Sequence, residues 1–198
     1  MITFVRMELI FATHNKNKIK EVKCLMPEAI NLLSLYDLND HEDIEETAET
    51  IEGNALLKAQ AIVKKYGSAC FADDSGLLVD ELNGSPGVYS ARYAGEPKND
   101  VANMDKLLRE LTNSNNRKAH FKTVMALILN GKEYLFEGII NGTIVSEKRG
   151  ENGFGYDPVF MPDGYNLTFA EMDADTKNKI SHRSIALKKL VSHIHQAT

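Results

Sequence analysis

Apolar positions along the chain recur in two periods, and the switches between them outline the elements. Leu9-Ile10-Phe11-Ala12 is an unbroken apolar run meeting Thr13-His14-Asn15, the pattern of a buried strand that runs into a turn or helix cap. Over residues 16–25 the spacing becomes helical, with Ile19, Val22 and Leu25 on one side and Pro27 closing the segment. Residues 30–35 read as a second strand. Helical spacing returns over 54–66 through Ala55, Ala59, Ile62 and Val63, with Gly67 as the stop.

Ala69-Cys70-Phe71-Ala72 predicts a short strand ending at Asp73-Asp74-Ser75-Gly76, and residues 77–82 resume a strand pattern. A loop with Gly84, Pro86 and Gly87 precedes a helix over about 100–111. Residues 121–129 and 133–140 flank Asn130-Gly131, which suits a type I′ hairpin turn. A glycine-rich stretch (Gly150, Gly153, Gly155) leads to Asp157-Pro158, and a last helix is predicted over 181–195. Strands and helices interleave without a regular βαβ repeat, so the expected class is α/β with a mixed sheet.

Composition narrows the picture. The 198 residues are 43% hydrophobic and 26% charged, enough for a real core, with no linker to divide them into modules. Lys and Arg number 23 against 28 Asp and Glu, a net charge of −5 that disfavours a nucleic-acid partner held by phosphate neutralisation. A local basic pocket is compatible with that balance. Cys24 and Cys70 lie far apart, without zinc or disulfide spacing, which points to a reducing, cytoplasmic setting. Arg6 and Glu8 interrupt the first apolar stretch, and no run approaches the roughly 18 apolar residues of a spanning helix. Neither export nor a membrane partner is expected. Residues 1–7 read as a short extension, with Met7 a second potential start.

Four constellations could carry chemistry. Thr13, His14, Asn15, Lys16, Asn17 and Lys18 sit at a strand-to-helix junction, where backbone amides, small polar groups and a lysine can seat phosphate, or simply form an ordinary N-cap. Asp73 and Asp74 follow an apolar strand; neighbouring carboxylates on an extended backbone face opposite ways, so one can enter a site while the other holds supporting groups. A hard divalent ion needs one or two carboxylates plus water and phosphate oxygens, although a tight Asp-Ser-Gly turn is the plainer alternative. The acidic stretch over 37–52 could add a second carboxylate, and spacing alone does not choose among Glu45, Glu46 and Glu49. Lys58 lies one helical turn after Asn54. Gly153-Phe154-Gly155-Tyr156-Asp157 lets backbone approach a ligand beside a ring that can stack on a base. Ser181, as a helix cap, would let His182 and Arg183 offer donors to a carbonyl-bearing base, with Lys177 just upstream. His193 and His195 read as surface residues, and no Gly-x-Ser-x-Gly nucleophile elbow is present.

The ordered blocks ATHNKNK, ETAETIEGNA, ADDSGL, SPGVYSARYAG, GFGYDPVF and ISHR resemble the inosine triphosphate pyrophosphatase family over nearly the whole chain. The resemblance implies one domain over residues 1–198, an elongated two-lobed α/β fold on a long mixed sheet with a central substrate cleft, and a homodimer. It also implies Mg²⁺-dependent cleavage of ITP, dITP or XTP to the monophosphate and pyrophosphate. Carried onto this chain, Thr13, His14, Asn15, Lys16, Asn17 and Lys18 would line the triphosphate seat and Lys58 would meet phosphate. Glu46 and Asp74 would bind metal, with Asp74 also acting on the attacking water, and Ser75 would touch substrate. Phe154, Gly155, Tyr156 and Asp157 would form part of the base and sugar pocket, and Lys177, His182 and Arg183 would read the base. The block holding Arg92 matches without an assigned step. Two positions depart from the family pattern: Ala48 stands where glycine is common, and Gly53 where an acid is common. The competing readings are a pyrophosphatase for other modified nucleotides and a nucleotide-binding module without catalysis.

Overall fold

The computed structural model describes residues 7–197. The extension read over residues 1–7 therefore lies, up to Arg6, outside the described residues, and Met7 opens the first strand. In chain order the elements are β1 (Met7–Phe11), α1 (Lys16–Leu25), β2 (Ile30–Ser34), α2 (Ile51–Tyr66), β3 (Cys70–Val79), α3 (Asp100–Glu110), β4 (Lys118–Leu129), β5 (Lys132–Ile144), β6 (Phe160–Pro162), α4 (Ala174–Ile180) and α5 (His182–Ala197). The strands form one six-stranded sheet in the order β2-β1-β3-β4-β5-β6. It is mixed, because β1 runs parallel to β2 and β3 while β5 and β6 are antiparallel.

The chain divides into two compact units, and β3, β4 and β5 each pass from one to the other. The first takes the chain up to Asp74, Val124–Glu137 and the residues from Ser184 on. Its core is Leu9, Phe11, Ile19, Val22, Phe71, Met125, Leu127, Leu187 and Leu190, with the Phe11 and Phe71 rings stacked at 4.4 Å. The second takes Ser75–Thr123 and Gly138–Arg183, around Leu77, Val79, Leu107, Phe121, Phe160 and Phe169.

Several boundaries differ from the sequence reading, each for a physical reason. The Asp73-Asp74-Ser75-Gly76 segment is the middle of one continuous strand, because burial and ion pairing outweigh its turn propensity. The strand pattern read over 77–82 ends at Val79; Asp80–Leu82 is a 3-10 turn closed by Asn83 at φ 51°. Helix α2 begins three residues early because the Thr50 side chain caps it, accepting from the Gly53 amide. The hairpin extends beyond both predicted limits around its Asn130-Gly131 turn, where φ is 51° and 72°. The last helix is preceded by a separate α4, with Ser181 extended between the two. His193 is no simple surface residue: its ring packs 4.1 Å from that of Tyr134 and 5.4 Å from that of Phe136. Strand β6, three residues long, carried no pattern of its own.

Asp40 ties the acidic stretch to the first unit. Its carboxylate accepts from Lys65 Nζ at 2.9 Å, Tyr66 Oη at 2.8 Å and the Glu42 amide at 3.1 Å, and its carbonyl lies 2.9 Å from His14 Nε2. The Lys65 bond, supported by those from Tyr66 and Glu42, lowers the Asp40 carboxyl to about 2 against the pull of burial. A group depressed in the folded state stabilises above its unfolded value of 3.8 and loses that contribution as pH falls toward about 2. Asp40→Ala should cost about 0.5–1.5 kcal/mol in denaturant unfolding at neutral pH, by removing the hydrogen bonds that the buried carboxylate accepts from Lys65, Tyr66 and the Glu42 amide, partners that water can then reach. The gap from wild type should shrink across that acid window, and a gap independent of pH would contradict the ion-pair account.

Candidate active site

In the first unit the charged candidates gather around the start of α1, the middle of α2 and the middle of β3. Asn15 caps α1, its side-chain oxygen accepting from the amides of Asn17 at 3.0 Å and Lys18 at 3.2 Å. Thr13 Oγ1 accepts from the Asn15 amide at 3.2 Å, and Lys16 Nζ stands 5.5 Å over the Tyr36 ring. The 13–18 segment is thus a capped helix start, with two of its amide donors already engaged. Lys18 turns inward from that start, and its Nζ meets Asp73 Oδ1 at 3.0 Å.

Alternation along β3 sends the two adjacent carboxylates to opposite faces. Asp73, on the face of Phe71, pairs with Lys18 of α1, whereas Asp74 on the other face approaches Lys58 of α2. Lys58 Nζ lies 2.7 Å from Glu46 Oε1 and 3.6 Å from Asp74 Oδ1. The structure so brings Glu46, rather than Glu45 or Glu49, to the Asp74 carboxylate through a shared ammonium. Asp74 Oδ2 is buried and has no hydrogen-bond partner. Burial pushes the Asp74 carboxyl above its ordinary range, more than the Lys58 and Lys18 charges pull it down. Burial would lower the Lys58 ammonium in turn, but the charges of Asp74, Glu46 and Asp73 outweigh it and raise the group. A buried carboxylate oxygen without a donor, beside a second carboxylate, suits a hard divalent cation.

In the second unit the buried cations come first. Lys177 Nζ reaches Asp157 Oδ2 at 2.7 Å and stands 5.0 Å over the Phe154 ring and 5.6 Å over that of Phe169. The same Asp157 oxygen accepts from the Phe154 amide at 2.8 Å. The chain can approach so closely because Gly153, at φ +78°, has no Cβ; one placed there would lie 2.1 Å from Asp157 Oδ2. Gly155 donates its amide to Asp100 at 2.9 Å. Arg183 places its guanidinium 5.6 Å from the Phe154 ring centre and donates from Nη2 to Ser75 Oγ at 3.2 Å. Ser75 Oγ is also 2.6 Å from Thr123 Oγ1. The His182 ring lies flat on Phe121, 4.6 Å between centres.

Ser75, Phe154, Asp157, Lys177, His182 and Arg183 all lie within this unit, linked by these contacts. Tyr156 turns away: it is buried, and its hydroxyl donates to the Ser90 carbonyl at 2.9 Å. The block around Arg92 holds structure here. Ser90 Oγ accepts from the Leu77 amide, Asn103 ties Ala91 to Ala94, and Arg92 Nη1 stands 3.8 Å from Glu96. Thr123 and Asp100 were missed by sequence reading, because both lie far along the chain from the motifs they support and carry no signature of their own.

The model of the Ham1 family matches residues 9–193, a span that contains all six blocks. The chain belongs to the Ham1 family. A relative from Flavobacterium johnsoniae, named dITP/XTP pyrophosphatase, is 57% identical over 185 residues, covering 93% of this chain and 96% of that protein. A Bacillus subtilis protein of the same name is 49% identical over 187 residues, covering 92% of this chain and 94% of its own length. Among solved structures, the Staphylococcus aureus Ham1 protein superposes with a TM-score of 0.88 at 40% identity, covering 96% of this chain and all of that one.

The two departures from the family pattern meet in space. A Cβ placed on Gly53 would lie 2.6 Å from Ala48 Cβ and 3.0 Å from Thr50 Oγ1, so the methyl at 48 requires the glycine at 53. The Ala48 amide in turn donates to Asn54 Oδ1 at 2.9 Å, anchoring the loop two residues after Glu46. Gly53→Ala should therefore destabilise the fold by about 1–3 kcal/mol through overpacking. In an Ala48→Gly background the same change should cost at least about 1 kcal/mol less, because only the 3.0 Å approach to Thr50 Oγ1 remains. A denaturant double-mutant cycle in which the two changes are additive would refute the steric coupling.

Proposed function

We propose that this chain is a dITP/XTP pyrophosphatase, hydrolysing deaminated purine nucleoside triphosphates to the monophosphate and pyrophosphate. The observation that carries the reading is the buried, unpartnered Asp74 Oδ2 next to Glu46 and Lys58. The curated relatives of that name, at 49–57% identity, support it.

Glu46 and Asp74 would hold Mg²⁺, an ion that takes one or two protein carboxylates and completes its shell with water and phosphate oxygens. When bound, it would supply charge neutralisation on the phosphates and make an attacking water more acidic. Asp74 would orient that water and accept its proton, a role suited to a carboxyl whose pKa burial raises. Thr13, His14, Asn15, Lys16 and Asn17 would line the triphosphate with Lys18, and Lys58 would add positive charge where negative charge builds on the phosphoryl oxygens.

Ser75, Phe154, Gly155 and Asp157 would border the base and sugar, with Lys177, His182 and Arg183 as the donors that read the base. Hypoxanthine and xanthine present a 6-oxo acceptor where adenine presents an amino donor, so these donors would be satisfied by the former and left unpaired by the latter. Tyr156 would act from behind, holding the loop rather than touching substrate. The reading includes a cytoplasmic homodimer without nucleic-acid or membrane partners. No helix among the described residues is long and apolar enough to cross a membrane.

Asp74→Asn should lose at least about a hundredfold in turnover, as expected for removal of a general base, while keeping its unfolding midpoint near that of wild type. Near-normal activity in that variant would remove Asp74 from the chemistry. A panel of ITP, dITP, XTP, GTP, ATP and modified pyrimidine triphosphates, assayed with Mg²⁺ and with products separated, tests the reaction itself. Monophosphate plus pyrophosphate from ITP and XTP, with little from ATP, is the expected result. Equal rates on ATP would refute base reading, and diphosphate plus phosphate would refute the bond assignment.

A further inference from the structure

Lys58 already occupies the position of a counter-cation to the two carboxylates proposed to hold metal. Its side chain is buried and leaves α2 one turn after the buried Asn54, from a helix anchored by Ala55, Ala59 and Ile62. The ammonium is thus carried by a rigid element to within 2.7 Å of Glu46 on the loop and 3.6 Å of Asp74 on β3. An ammonium 2.7 Å from Glu46 Oε1 and 3.6 Å from Asp74 Oδ1 would stand within a few ångströms of a divalent cation held by the same two carboxylates, and at such range their like charges repel strongly in a partly desolvated site.

We propose that Lys58 is a resident competitor for the divalent metal: it holds Glu46 and Asp74 in the nucleotide-free protein, and metal binding displaces it from Glu46 toward the substrate phosphates. Metal and nucleotide then favour one another's binding, because the ammonium expelled by the ion gains an anionic partner only when phosphate is present. The free protein holds the ion weakly, and the complete charge constellation assembles only around a triphosphate. Before that, Lys58 keeps two carboxylates from repelling each other, which preserves the loop geometry without metal.

This rests on the reading of Glu46 and Asp74 as the metal carboxylates, and its test needs no turnover. Mn²⁺ binding to the nucleotide-free protein is measured by the electron paramagnetic resonance of the free ion, for wild type, Lys58→Met and Lys58→Met/Glu46→Gln. With one like charge removed, Lys58→Met should bind Mn²⁺ about tenfold tighter or more than wild type, and the added Glu46→Gln should abolish that gain. Equal or weaker binding by a folded Lys58→Met protein overturns the proposal, as does a gain that survives Glu46→Gln. Should Lys58→Met not fold, the side-chain ¹⁵Nζ resonance of Lys58 in wild type, assigned by its loss in Lys58→Arg, decides. It should shift on Mg²⁺ addition without nucleotide, and an unmoved resonance at saturating Mg²⁺ overturns the proposal. If the nucleotide panel failed while Lys58→Met tightened Mn²⁺ binding, the competition would stand and the assigned reaction would fall. An active enzyme with unchanged Mn²⁺ affinity in Lys58→Met would do the reverse.

Discussion

Burying two consecutive carboxylates in the middle of a strand is the constraint on which the first unit turns. An isolated buried charge costs several kcal/mol unless it is paired, so Asp73 and Asp74 can stay in β3 only if cations arrive from both faces. Strand alternation assigns Asp73 to α1 and Asp74 to α2, and each helix delivers one lysine. The pairing is uneven. Lys18 meets Asp73 directly at 3.0 Å, whereas Lys58 sits closer to Glu46 than to Asp74 and leaves Asp74 Oδ2 without a donor. The proposed chemistry rests on that residual need, since a buried carboxylate oxygen lacking a partner suits a cation or a water proton.

The second unit inverts this arrangement. There the buried groups are cations, Lys177 and Arg183, accommodated by the carboxylate of Asp157, the Ser75 hydroxyl and the faces of Phe154 and Phe169. Donor-rich, aromatic-walled surroundings would suit a planar ligand with carbonyl acceptors, while the carboxylate set of the first unit would suit the metal and phosphate of the proposed reaction. Ser75 follows Asp74 directly along β3.

Much of this was legible beforehand, for identifiable reasons. Helix α1 could be read to the residue because its apolar period, N-cap and closing proline all agree, and the hairpin because Asn-Gly suits its turn. The opposite facing of Asp73 and Asp74 also followed from backbone geometry alone. The continuity of β3 did not, since Asp-Asp-Ser-Gly has the propensity of a turn and becomes strand only where neighbouring elements neutralise it. Tyr156 was read toward a ligand because its motif alternates glycine with aromatics, and only packing shows that its hydroxyl serves the Ser90 carbonyl.

The chain's own sequence determined which residue types could serve a nucleotide and in what order they occur, because the motifs are local and each block carries its backbone requirement within it. Resemblance pointed to Glu46 where spacing left Glu45 and Glu49 open, but tertiary structure alone decided that Lys58 bridges Glu46 and Asp74 and that Ala48 and Gly53 form one steric solution. Those choices depend on contacts between segments far apart along the chain or folded back on one another. Distances of a few ångströms there are set by how helices seat on the sheet, and spacing along a sequence does not encode them.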